Sequence, residues 1–262
     1  MLHESSRRSC TACHDGLSLP FDFSMAFQPI VDVEQRRIYA YEALARGPRG
    51  EPAPTVLSQV TADTRYAFDQ MCRVKAITLA ADLGLAETGA LLSINFMPGA
   101  VYSPAACIQV TLKTAALVGF PTERLIFEIV ESEEVRDRVH LSGIITEYRR
   151  RGFKIAIDDF GAGYSGLNLL ADLPTDIVKL DMELVRDIHQ RRAAREIVLL
   201  MMALSRTLGF EVIAEGVETI DEYLVLRGCG VRLMQGYLIA RPAFQALPVF
   251  TLPDARVAHL AS

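Results

Sequence analysis

From residue 24 onward, short and almost wholly apolar runs alternate with longer stretches whose apolar residues recur every three or four positions. Residues 25–31 predict a strand, 32–37 a polar turn, and 38–41 a second strand that runs straight into Glu42-Ala43-Leu44-Ala45-Arg46. So short a connection favours an antiparallel hairpin. Residues 47–54 carry three prolines and two glycines and read as loop. Within 63–83, Ala67, Met71, Val74 and Leu79 recur at helical spacing, and Gly84 closes the helix.

The alternation continues with strands at 91–95, 125–129, 154–157, 176–180, 211–214 and 231–234. Helices are predicted at 104–118, from Ser132 to Arg151, at 164–170, at 183–208 and at 219–226. Glu133 and Glu134 in a first turn, and Gly119, Gly152 and Gly209 at helix ends, set several of these limits. The 183–208 stretch reads as one long helix with Ile197, Met201, Leu204 and Leu208 on one face. Met201 and Met202 read as core filler.

Short apolar strands alternating with helices predict a parallel sheet covered by helices. Seven or eight such strands suit an α/β TIM-type (β/α)8 barrel with a first antiparallel strand. An open doubly wound sheet is the alternative, but no Gly-x-Gly-x-x-Gly follows the first strand.

At 262 residues, half of them hydrophobic, the chain can bury one large core. The expected organisation is a short, weakly ordered leader at 1–20, one domain at 21–250 and a C-terminal tail at 251–262. No apolar run approaches the ~18 residues of a membrane span and no secretory hydrophobic region opens the chain, so a cytoplasmic protein without membrane attachment is expected. A net charge of −5 argues against nucleic acid as a partner. Five scattered cysteines do not make a disulfide framework. Cys10-Thr11-Ala12-Cys13-His14 matches a haem-attachment pattern, but that chemistry requires export and a zinc site requires further ligands, so it reads as leader.

The candidate chemistry lies where the strands end. One apolar run after another finishes in an acid, amide or amine: Glu42, Asn95, Glu128, Asp158, Lys179, Glu215 and Gln235. In a barrel those ends share one mouth. A single such residue would be an ordinary cap or solvated group; seven in register point to a site. Asp158 and Asp159 leave a strand together into a glycine-rich loop, and two adjacent acids in a strand would point to opposite faces unless the chain leaves the pleat there. Five carboxylates in one cleft repel unless cations separate them, and oxygen donors without His or Cys suit Mg²⁺ or Mn²⁺. Two such ions suit in-line displacement at phosphorus, which reads as a metal-dependent phosphoester hydrolase.

These residues resemble the EAL domain family, which hydrolyses cyclic di-GMP. Glu42-Ala43-Leu44 carries the name-giving motif and continues to Arg46; Gln28-Pro29-Ile30-Val31 is similar to the family's start. Asn95, Glu128-Ile129-Val130-Glu131, Asp158 to Leu167, Lys179-Leu180-Asp181, Ala214 to Thr219 and Gln235-Gly236-Tyr237 follow in the family's order. The resemblance implies that Glu42, Asn95, Glu128 and Asp158 bind one metal ion, and that Asp158, Asp159 and Glu215 bind a second. It also implies that Lys179 and Glu215 handle the attacking water, that Gln28, Arg46 and Gln235 hold the substrate, and that Glu131 steadies the 158–167 loop. The implied reaction opens cyclic di-GMP to linear pGpG with Mg²⁺ or Mn²⁺, and Ca²⁺ is expected to inhibit.

A homodimer and a regulatory protein partner in bacterial signalling belong to the same expectation, since a 20-residue leader is too short for a sensor domain. Met97, Ala162 and Gly166 depart from the family's common residues, the last two inside the loop. The alternative function is a catalytically silent module that binds cyclic di-GMP or another protein. Such a module would normally lack a ligand, and here the set is complete.

Overall fold

A computed structural model describes residues 18–130, 138–162 and 166–253. Residues 1–17 of the predicted leader, with Cys10, Cys13 and His14, the predicted helix start at Ser132, Glu131, residues 163–165 and most of the tail lie outside the described residues.

The strands β1 (Ser24–Asp32) and β2 (Arg37–Arg46) form the expected antiparallel hairpin. They are followed by α1 (Ala53–Leu57), α2 (Arg65–Asp82), β3 (Leu91–Asn95), α3 (Pro104–Leu117), β4 (Leu125–Val130) and α4 (Arg138–Arg150). Next come β5 (Lys154–Phe160), α5 (Gly166–Asp172), β6 (Ile177–Leu180), α6 (Met182–Val185), α7 (Arg192–Leu208), β7 (Glu211–Ala214), α8 (Ile220–Gly228), β8 (Leu233–Met234) and β9 (Ala243–Phe244). Strands β2 to β8 pair in parallel in sequence order, and β1 closes the ring by pairing antiparallel with both β8 and β2. The fold is a TIM-like (β/α)8 barrel with one reversed strand.

Two apolar layers follow from the period of two along each strand. One set of side chains faces the helices and builds the large outer core, with Phe27, Tyr41, Leu92, Phe127, Ile155, Val178, Val212 and Met234 among its members. The alternate set fills the barrel: Ile30, Ala40, Ile126, Ala156, Ile177, Ile213 and Leu233, with Tyr39 and Leu91 against them. This plug closes the barrel floor below the strand ends. At its base Arg232 ties Asp32 of β1 to Glu211 of β7.

The structure departs from the expected elements in three places. A turn of helix, α1, occupies part of the proline-rich loop, because Pro54 at a first helical turn costs no backbone hydrogen bond. The single helix expected at 183–208 is two, α6 and α7. Between them Asp187 takes a left-handed φ of 53°, and its N–H donates to the buried Glu222 carboxylate of α8. A distant acceptor outcompetes the local helix there. The two-residue β9, too short to show a period, covers the stretch of β1 that β8 leaves unpaired.

The buried stripes also differ. Ala67, Met71, Val74 and Leu79 of α2 are only half-buried, whereas Asp69, Cys72, Arg73, Ala76 and Ile77 are buried. On α7, Met201 is buried, but Ile197 and Leu208 are exposed, as is Leu200.

Ile177 is 1% exposed at the centre of the plug, so Ile177→Ala removes most of a buried side chain. We expect a loss of about 2–5 kcal/mol in the urea unfolding free energy, with the m-value unchanged.

Candidate active site

The site is the plug's next layer. Two residues beyond each plug position stands a polar group: Glu42 above Ala40, Ser93 above Leu91, Glu128 above Ile126, Asp158 above Ala156, Lys179 above Ile177, Glu215 above Ile213 and Gln235 above Leu233. On the reversed strand β1 the step runs the other way, and Gln28 lies opposite Glu42. The pleat alone therefore turns eight consecutive strands into a ring of polar side chains over an apolar floor. Asn95 stands one further step up β3 and donates to Glu42 Oε1 at 3.1 Å.

Lys179 lies at the centre, 1% exposed. Its Nζ sits 2.7 Å from Glu215, 3.0 Å from Glu128, 3.0 Å from Asp158 and 3.5 Å from Glu42. Burial opposes its charge, but the carboxylates of Asp158, Glu128, Glu215 and Glu42 outweigh burial and hold the ammonium well above the usual lysine range. The acids divide. Burial pushes Glu42 up, but Lys179 and the amides of Gln235 and Asn95 reverse this, so it stays below its ordinary value. Burial, reinforced by Glu42, raises Glu128 well above its ordinary value, and burial raises Asp158. Burial lifts Glu215 to about 8, and burial with the Asp158 charge lifts Asp159 to about 6. One ammonium does not suffice for five acids.

A divalent cation fits that deficit. Oxygens of Glu42, Glu128 and Asp158 converge within 4.8 Å of one another, and so do oxygens of Asp158, Asp159 and Glu215. The two triads share Asp158. Glu128 Oε2 and Asp158 Oδ1 are fully buried without a hydrogen-bond partner and meet only the Lys179 ion pairs. Buried carboxylate oxygens that share a single ammonium in an all-oxygen donor set are what Mg²⁺ or Mn²⁺ would satisfy.

Local backbone geometry makes this convergence work. Adjacent Asp158 and Asp159 reach the same cleft because β5 is bulged: its register with β6 shifts between Ile157 and Phe160, and Asp159 takes a left-handed φ of 54°. The expected departure from the pleat is thus present, and β5 runs on to Phe160 beyond it. Gly236 serves the Gln235 side. A Cβ there would collide with the backbone of Val217, whose N–H donates to Gln235 O at 3.1 Å. Gly216, at φ 63°, is pressed likewise against Met182.

Of the sequence-predicted residues, Glu42, Asn95, Glu128, Asp158, Asp159, Lys179, Glu215, Gln28 and Gln235 come together. Gln235 Nε2 donates to Glu42 Oε2 at 2.7 Å and approaches Gln28 Oε1 at 3.2 Å. Arg46 does not join them. It ends β2 four residues above Glu42, roughly 13 Å along the strand, and donates to Ala45 O. Ser93, whose hydroxyl donates to Glu128 at 2.6 Å, joins the ring without being among the predicted residues, although the period of two marks its position. An open cleft of about 410 Å³ above the ring is lined also by Asp181, Met182 and Tyr237.

The sequence matches a family model described as "EAL domain" over residues 17–242. The chain belongs to the EAL domain family. A stand-alone EAL protein of Vibrio cholerae O395, solved with cyclic di-GMP bound, is 51% identical with a TM-score of 0.85, covering 89% of this chain and 98% of that one. Klebsiella pneumoniae BlrP1, solved with manganese and cyclic di-GMP, is 36% identical with a TM-score of 0.81 over 87% of this chain and 58% of that one. BlrP1 has also been solved with calcium and cyclic di-GMP.

Among curated relatives, a cyclic di-GMP phosphodiesterase of Pseudomonas aeruginosa is 31% identical over 84% of this EAL chain. The antirepressor BluF of Escherichia coli, regulated by blue light and temperature, is 28% identical over 97% of it. The chain spans 62% of BluF and 38% of the Pseudomonas protein.

Two outcomes are expected. A carboxyl raised on folding is protonated in the native state, so its stability is present at low pH and lost as pH rises through the folded value. For Glu215 that window runs from 4.5 to about 8, and for Asp159 from 3.8 to about 6. The Tm of the metal-free protein should therefore fall between about pH 5 and pH 8, with Mn²⁺ restoring it most at the alkaline end; a flat profile contradicts the reading. Gly236→Ala should displace Gln235 and lower the Tm, read by calorimetry, by several degrees.

Proposed function

We infer that this EAL domain is a metal-dependent phosphodiesterase that opens cyclic di-GMP to linear pGpG. The observation that carries the reading is the pair of carboxylate triads sharing Asp158. Relatives solved with cyclic di-GMP, and with manganese or calcium beside it, support the choice of ligand and ion.

Glu42, Asn95, Glu128 and Asp158 would hold one Mg²⁺ or Mn²⁺, and Asp158, Asp159 and Glu215 the second. When bound, the two ions supply a hydroxide at neutral pH and charge stabilisation at the phosphoryl oxygens. The protein's own groups do the rest. Gln28 and Gln235 present amides at the cleft floor to orient the ligand, and Arg46 above them suits a phosphate. Glu215 accepts the proton of the attacking water, and Lys179, 2.7 Å away, holds its carboxylate in place. The water oxygen bonds to phosphorus as the P–O3′ bond breaks, and the released 3′ oxygen takes a proton. Glu131 is proposed to steady the 158–167 loop.

A cytoplasmic location and a homodimer complete the proposal. No helix among the described residues is long and apolar enough to cross a membrane. Ile197, Leu200 and Leu208 give α7 an exposed apolar face that supports self-association.

A second reading, a protein-binding module without turnover, is favoured by the alignment to the antirepressor BluF over 97% of this chain. The complete acid set favours hydrolysis over it.

Incubation with cyclic di-GMP and Mn²⁺ should yield pGpG, seen by chromatography. Glu42→Ala should lower turnover at least a hundredfold, and Ca²⁺ in place of Mn²⁺ should suppress it. No product at any Mn²⁺ concentration, from a chain that still binds cyclic di-GMP, would leave the binding-module reading standing instead.

A further inference from the structure

Outside the barrel, behind the ligand-bearing ends of β3 and β4, lies a buried charge that catalysis does not use. Arg73 of α2 is completely buried. Its Nη2 pairs with Asp69 Oδ2 at 2.7 Å, and its Nη1 donates to Tyr148 Oη of α4 at 2.7 Å. The guanidinium carbon sits among three rings, 5.2 Å from the centroid of Phe127, 5.5 Å from Phe96 and 5.6 Å from Tyr148. Phe96 and Phe127 also meet edge to face, with centroids 5.8 Å apart.

Stability alone is a poor reason for this arrangement. Burying an ion pair costs about as much desolvation as it returns, and apolar replacements of similar volume are often neutral or better. Its neighbours in sequence give a better one. Phe96 follows Asn95 and Phe127 precedes Glu128, so each ring lies on the outer side of a strand end whose inner side carries a metal-type ligand. Asp69 adds a second hold, accepting the N–H of Met97 at 2.9 Å just past Asn95. The two strand ends are themselves joined by Phe96 N–H to Glu128 O at 3.2 Å.

We propose that Arg73 is a positioning residue for Asn95 and Glu128: the guanidinium and its ring box clamp β3 and β4 from outside and so set the spacing of the amide and carboxylate inside. The proposal rests on the two-ion reading of the site and goes beyond it. It assigns a function to α2 and α4, which contribute no side chain to the cleft lining.

The test is Mn²⁺ binding to the full chain, followed by calorimetry and electron paramagnetic resonance. The variants are an Asp69→Leu/Arg73→Met double substitution, which keeps volume without charge, and Tyr148→Phe, which keeps the ring and removes one acceptor. Partners that orient a metal ligand contribute ~10–100-fold in affinity. One of two Mn²⁺ sites should weaken by that factor in the double variant, and several-fold in Tyr148→Phe. The site at Asp158, Asp159 and Glu215, which the box does not touch, should keep its affinity. A merely structural box would lower the Tm and leave both affinities alone, which overturns the proposal. Should the double variant not fold, Tyr148→Phe decides by the same criterion. A wild-type chain that binds no Mn²⁺ overturns the metal reading and this proposal together.

Discussion

The ring of carboxylates around the Lys179 ammonium is the constraint on which the rest of the structure depends. Four acids lie within 3.5 Å of one buried nitrogen, and Asp159 stands beside them. With all five ionised, one positive charge leaves four negative ones in a cleft with an apolar floor. That state is unfavourable in a medium of low polarity, and the raised values of Glu128, Asp158, Asp159 and Glu215 express it. Two divalent cations would balance the charge. Lys179 therefore acts as the permanent part of the counter-charge and holds the acids in register.

The barrel makes such a ring inexpensive to build. A pleat of period two places one plug residue and one polar residue on each strand, and the closed parallel sheet brings the polar ones to one end. Where the plain pleat falls short, the chain deviates locally. A bulge brings Asp159 round beside Asp158, Gly236 lets the last two loops cross at backbone distance, and Gly216 lets the chain after β7 pack on Met182 of α6.

Much of this was legible in the sequence because the same period governs both. The polar ends of the apolar runs marked Glu42, Glu128, Asp158, Lys179, Glu215 and Gln235, and the short 32–37 turn marked the reversed strand. Ser93 was overlooked because a serine within an apolar run looks like an ordinary core hydroxyl until the layer is counted. The buried stripe of α2 could not be read, since Asp69 and Arg73 look like surface charges unless the partner on α4 is known. The break between α6 and α7 depends likewise on Glu222, which lies 35 residues from Asp187 in sequence. Local patterns carry local structure and layers; pairings across the fold leave little trace in them. The likeness to both a phosphodiesterase and an antirepressor shows why the barrel cannot decide function and the acid ring must.

The most direct test of the two-ion account is anomalous diffraction from crystals grown with Mn²⁺. Two peaks are expected in the barrel mouth, one among Glu42, Asn95, Glu128 and Asp158, the other among Asp158, Asp159 and Glu215. An empty mouth at saturating Mn²⁺, with Lys179 alone holding the acids, would contradict the two-ion account.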